Sequence, residues 1–123
     1  MARVIALTRD LLFGSRVQGA LLAAGHDVEL VADVSRLSER LADPAAAPAE
    51  VLIVDLTDDE LEGADVVTRL AAGQELRGTC TLAYYSHVDV AARERAEHAG
   101  FDLVVARSRM AREGAALVAG LLG

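Results

Sequence analysis

The chain has 123 residues, 53% of them hydrophobic, with 12 basic side chains against 19 acidic ones and a net charge of -7; every basic residue is an arginine. The absence of lysine excludes Schiff-base chemistry, a phosphate-binding-loop lysine and a tunable lysine base, because a guanidinium stays protonated. The acidic balance disfavours general attraction to nucleic acid or anionic membrane, and the lone cysteine, Cys80, excludes an internal disulfide framework, so a core must hold the fold.

The amino terminus, MARVIALTRD, offers an apolar run that Arg9 and Asp10 soon interrupt, too short for a secretory signal. Other apolar stretches end well before the roughly 20 residues of a membrane span. The sequence predicts a soluble, cytoplasmic protein, and its wealth of alanine and arginine without lysine, asparagine or tryptophan fits a GC-rich bacterial coding sequence.

Short apolar runs alternate with longer amphipathic stretches. Residues 3–8 read as a buried strand. Residues 14–24 carry Val17, Leu21 and Ala24 at helical spacing, with Gly25 placed to stop the helix. Residues 27–32 form a second strand and 34–41 a short helix, with Leu37 and Leu41 four apart, which gives way to an alanine-rich connection from Pro44 to Pro48. VLIVDL at 51–56 is the strongest strand signal. A helix over 64–74, a strand over 79–85, a helix over 88–99 closed by Gly100, a strand over 103–106 and a helix over 111–122 complete the series. Asp89 is the natural start of the fourth helix, with Arg93 four residues on to pair with it. Cys80, Tyr84 and Tyr85 fall inside a strand, Cys80 as a small buried hydrophobe and the tyrosines as residues that fill core and rim.

Continuous apolar strands separated by helices imply a parallel sheet covered on both faces. The expected class is α/β, doubly wound, a single domain over residues 1–123 with the flavodoxin-like strand order 2-1-3-4-5 and functional groups at the carboxyl ends of the strands. The residues just after the strands there are Thr8, Arg9 and Asp10; Asp55, Asp58 and Asp59; Ser86, His87 and Asp89; and Arg107 and Ser108.

VLIVDL, with Gly63 eight residues beyond Asp55, resembles the phosphoacceptor strand and loop of receiver domains from two-component response regulators. Ser86 follows an apolar strand where receivers carry Thr or Ser, and AGFDLVVARS from Ala99 to Ser108 is similar to the family's AGADDYLTKP. The resemblance implies a CheY-like signalling fold with Asp55 in the phosphoacceptor place. The departures imply a degenerate, pseudo-receiver type. Where receivers end their first strand in an acidic pair that holds magnesium, this chain has Thr8 and Arg9, leaving Asp10 and Asp55 as weak metal candidates. Arg107 matches the family's lysine, Ser108 the proline after it, Val104 the switch aromatic and Asp59 the loop proline.

Three readings of the rim follow. Phosphoryl transfer to Asp55 would use Ser86 and Arg107 but lacks the metal clamp. Alternatively, Asp55 forms a salt bridge with Arg9 or Arg107. A third places a small anion or nucleotide among Arg9, Ser86, His87, Arg107 and Ser108, with Ser108 as either ligand or N-cap of the last helix, whose solvent face Arg109 and Arg112 decorate. A hydrolase triad is disfavoured because G-x-S-x-G is absent. No metal and no cofactor is expected: His26 and His98 lie toward the opposite ends of the strands, there is no G-x-G-x-x-G, and no tryptophan is present to stack a flavin. Leu11, Leu12 and Phe13 form an apolar segment expected as a contact patch or a lid over Asp55. The function expected is that of a stand-alone, non-enzymatic module that binds a protein partner, with a homodimer through the last strand and helices as one form.

Overall fold

The structure, a computed structural model, describes residues 2–123. In chain order the elements are β1 (Arg3–Leu7), α1 (Leu11–Ala23), β2 (Asp27–Val31), α2 (Val34–Ala42), β3 (Val51–Asp55), a 3-10 turn (Asp59–Leu61), α3 (Gly63–Ala72), β4 (Cys80–Tyr85), α4 (Val90–Ala99), β5 (Leu103–Ala106) and α5 (Arg107–Leu122). The five strands pair in parallel in the order β2-β1-β3-β4-β5, as the sequence predicts.

The strands read as unbroken apolar runs because successive side chains enter different cores. Val4, Ala6, Val51 and Ile53 face one cluster with Phe13, Val17 and Leu21 of α1 and Met110 and Val118 of α5. Ile5, Leu7, Leu52 and Val54 face the other, with Leu37 of α2, Val66, Val67 and Leu70 of α3 and Ala96 of α4. Helices therefore cover both faces, and all strands end at one edge. Tyr84 is core-filling as expected, its ring centroid 5.0 Å from that of Phe13. Cys80 is half-buried, its Sγ 3.6 Å from the Leu121 carbonyl.

Two helices begin earlier than their periodicity suggests. α1 starts at Leu11, because the Asp10 carboxylate accepts from the Phe13 amide at 3.0 Å and caps the helix ahead of the apolar repeat. This also settles Leu11, Leu12 and Phe13: they are the first turn of α1, with Leu11 and Leu12 in solvent and Phe13 in the core, and form no lid over Asp55. α5 starts at Arg107. Its N-cap is Ala106, with no side-chain cap, so Ser108 lies inside the first turn and does not cap the helix. Asp89 does cap α4, accepting from the Ala92 amide at 3.0 Å. Arg93 pairs with Glu97 at 2.8 Å, one turn on, leaving Asp89 to the cap. Gly25, at φ 92, and Gly100, at φ 93, end their helices in the left-handed conformation that glycine adopts without strain.

Candidate functional site

Strand register builds the centre of the site. Leu7 pairs with Val54, and Asp55 with Tyr84, so the residue after β1, Thr8, stands beside the carboxylate that ends β3. Asp55 is 1% exposed. Thr8 Oγ1 donates to its Oδ2 at 2.7 Å, while the Thr57 amide, at 2.7 Å, and the Thr57 hydroxyl donate to Oδ1. A buried carboxylate is costly unless its oxygens are hydrogen-bonded, and here hydroxyls and an amide meet that need without a cation. Burial and the neighbouring Asp55 charge push the Tyr84 hydroxyl up, so it stays protonated.

The ion pair expected between Asp55 and Arg9 or Arg107 does not form. Arg9 extends into solvent and makes a two-point contact with Asp58, Nε at 2.6 Å and Nη2 at 2.8 Å, with Glu60 2.9 Å from the same Nη2. Its guanidinium holds the Asp58 carboxyl below the usual carboxylate range. Arg107 Nη2 donates to Asp10 Oδ2 at 3.0 Å, and its guanidinium carbon lies 4.3 Å from the Phe13 ring centroid. The physical reason is desolvation: burying a guanidinium beside Asp55 costs several kcal/mol of hydration, whereas the half-buried Asp58 and Asp10 receive arginines that keep much of their exposure to water.

The resemblance implies magnesium at the end of β1, and the residues do not fit it. Thr8 and Arg9 supply no carboxylate there. Asp10 uses Oδ1 to cap α1 and Oδ2 to hold Arg107, and both Asp55 oxygens are occupied. Among the described residues, no group of three or more His, Cys, Asp or Glu side chains is placed to hold a metal ion.

The remaining rim residues divide between two clefts. Ser86, His87, Arg107 and Ser108 line one of about 380 Å³, together with Phe13, Arg16 and Ala111. Arg9 is not part of it. The other, about 420 Å³, lies at the starts of α3 and α4 and is lined by Asp58, Asp59, Glu62, Asp65 and Asp89, with Arg95 the one basic residue. Gly63 also lines it and is held small by packing: a Cβ there would stand 2.6 Å from Val54 Cγ1.

Sequence reasoning missed three contributions. Thr8 matters as a hydroxyl donor and not merely as a missing acid. Thr57, two residues after Asp55, closes the Asx-type turn that such spacing allows. Arg16 lies three residues after Phe13, a helical spacing that puts both at the same cleft.

No protein-family model matches the chain, and no curated protein matches it in sequence. Solved structures do match it in fold. The phosphorylated cyanobacterial phytochrome response regulator RcpA superposes with a TM-score of 0.80 at 12% identity, covering 99% of this chain and 94% of its own. The chemotaxis response regulator CheY4 of Vibrio cholerae gives 0.78 at 20% identity, with 98% of each chain covered. A response regulator from Thermotoga maritima gives 0.78 at 15%, with 99% and 98% covered. The protein has the flavodoxin-like fold of response-regulator receiver domains. At these identities the likeness is one of fold.

Proposed function

We propose that this chain is a receiver-fold signalling module of the pseudo-receiver kind, which acts by binding a protein partner and does not accept a phosphoryl group on Asp55. The observation that carries the reading is the state of Asp55: 1% exposed, with both oxygens engaged by Thr8 and Thr57. Phosphoryl transfer needs an accessible nucleophilic oxygen and cations over the equatorial oxygens. Thr8 and Thr57 engage the oxygens that the first requirement needs free, and Asp10 and Asp58 are committed to arginines. Leu11 and Leu12 at the start of α1, 70% and 84% exposed, and Val88 and Val90 beside the start of α4 supply apolar surface at the same edge for a partner. A second copy of the chain, joined through β5 and the neighbouring helices, is the first partner to test.

Incubation with acetyl phosphate and magnesium, followed by intact-mass measurement, tests the phosphorylation half. The expected result is no phosphoryl adduct and no change in melting temperature with beryllium fluoride. An adduct mapped to Asp55 overturns the reading. Light scattering across a concentration series, together with affinity capture, tests the binding half, and a monomer that captures nothing specific counts against it.

A further inference from the structure

The cleft lined by Ser86, His87, Arg107 and Ser108 differs in kind from the Asp55 pocket, which is not part of it. No carboxylate lines it, although the chain carries 19 acidic residues and a net charge of -7. Its walls bring together two arginines, Arg16 from α1 and Arg107 from α5, with hydroxyls from the β4–α4 loop and from the first turn of α5. Among the described residues, the Arg16 guanidinium and the Ser86 and Ser108 hydroxyls have no side-chain partner. Arg107 spends Nη2 on Asp10 and lies over Phe13, a contact that orients the guanidinium and leaves its other N–H groups unpaired. The cleft also meets the start of a sixteen-residue helix with no side-chain cap and no acid in its first turn, where unpaired amides and the dipole add to the field set by the arginines.

Unspent donors from two arginines and two serines, gathered in a concavity whose lining holds no acid and where Asp10 takes only one Arg107 nitrogen, match the acceptor oxygens of a phosphate group. The volume, about 380 Å³, falls within the range of small-molecule sites, about 300–1,000 Å³. We propose that this cleft binds a small phosphate monoester, with Arg16, Arg107 and Ser108 holding the phosphate group and the rest of the cleft receiving a short organic body. The site is independent of the chemistry of Asp55, so either proposal survives failure of the other.

Isothermal titration of the full chain with inorganic phosphate, phosphoserine and adenosine monophosphate tests it, with chloride matched in ionic strength. Binding of a monoester tighter than that of free phosphate is expected. Equal affinities for phosphate and its monoesters would assign the cleft to the free ion and overturn the monoester, and no heat with any of the probes would overturn the site. Arg16→Ala should weaken binding by roughly tenfold or more, the scale of one charge-assisted hydrogen bond. Ser108→Asp separates binding from folding: a carboxylate in the first turn of α5 favours the helix dipole, so melting temperature should hold or rise while binding is lost. Affinity unchanged in both variants would place the ligand elsewhere and overturn the proposal.

Discussion

Two regions a few residues apart at the same edge of the sheet treat charge in contrasting ways. Around Asp55 a buried carboxylate is satisfied by neutral donors, Thr8 and Thr57, and every oxygen is engaged. In the cleft between α1 and α5, cationic and hydroxyl donors stand at the surface with much of their capacity unused. The difference is one of supply: the buried acid has its hydrogen bonds met within the fold, while the donors of the cleft are left over. At the end of β1 the Thr8 hydroxyl serves as a structural donor to Asp55, and Arg9, which follows, pairs with Asp58 outside the pocket.

Thr8→Val is the sharpest way to break the contrast, because it keeps shape and strands Asp55 Oδ2 without its donor. A loss of about 1–3 kcal/mol is expected, read from urea denaturation. Combining it with Asp55→Leu removes the buried charge as well and should recover much of that loss, since Thr57 is exposed and can bond to water. If the double variant is as unstable as the single one, the hydroxyl pocket is not what holds the carboxylate.

Asp10→Ala ranks next. It removes the cap of α1 and the anchor of Arg107, with about 1 kcal/mol expected for the cap. It also frees a guanidinium at the cleft, so phosphate-monoester affinity should rise even as the melting temperature falls. Unchanged affinity would mean that Asp10 does not restrain Arg107.

A gain-of-function pair sharpens the comparison from the other side. Thr8→Asp with Arg9→Asp places acids at the end of β1 and should introduce a magnesium-dependent rise in melting temperature, with none expected for the native chain. No metal response in the pair would show that a feature other than Thr8 and Arg9 keeps the ion out.

The smallest effect belongs to Arg9→Gln. Its pairs with Asp58 and Glu60 are solvent-screened, so stability at neutral pH should hardly change. The Asp58 carboxyl is held below its ordinary range, so the pair contributes fully above the unfolded-state value and fades as pH falls through the lowered one. The variant's deficit should therefore shrink on acidification. A deficit that grows in acid would contradict the assignment.

Much of the fold was legible because strand and helix signals are local sums over many residues. VLIVDL could only be a strand buried on both faces, and Gly25 and Gly100 mark their helix ends by a conformation other residues avoid. The starts of α1 and α5 were not legible from apolar spacing, since Asp10 caps one from outside the repeat and the other has no side-chain cap.

At the site, residue types were readable and pairings were not. Asp55, Ser86, His87, Arg107 and Ser108 do reach one edge of the sheet. Yet Arg9, expected with Ser86 and Arg107, turns to Asp58, and Arg16, which lies outside the loops, takes its place at the cleft.

By itself, the sequence determined a parallel five-stranded sheet, its strand order and the set of polar groups at its carboxyl edge, because hydrophobic periodicity and chain connectivity leave few alternatives. Only the tertiary structure decided which donor meets which acid. That choice turns on side-chain reach and on the cost of desolvating a guanidinium, which depends on what surrounds it in space. Thr8, small and neutral, can enter the pocket with Asp55 at little cost, whereas Arg9 keeps its hydration by meeting Asp58 outside.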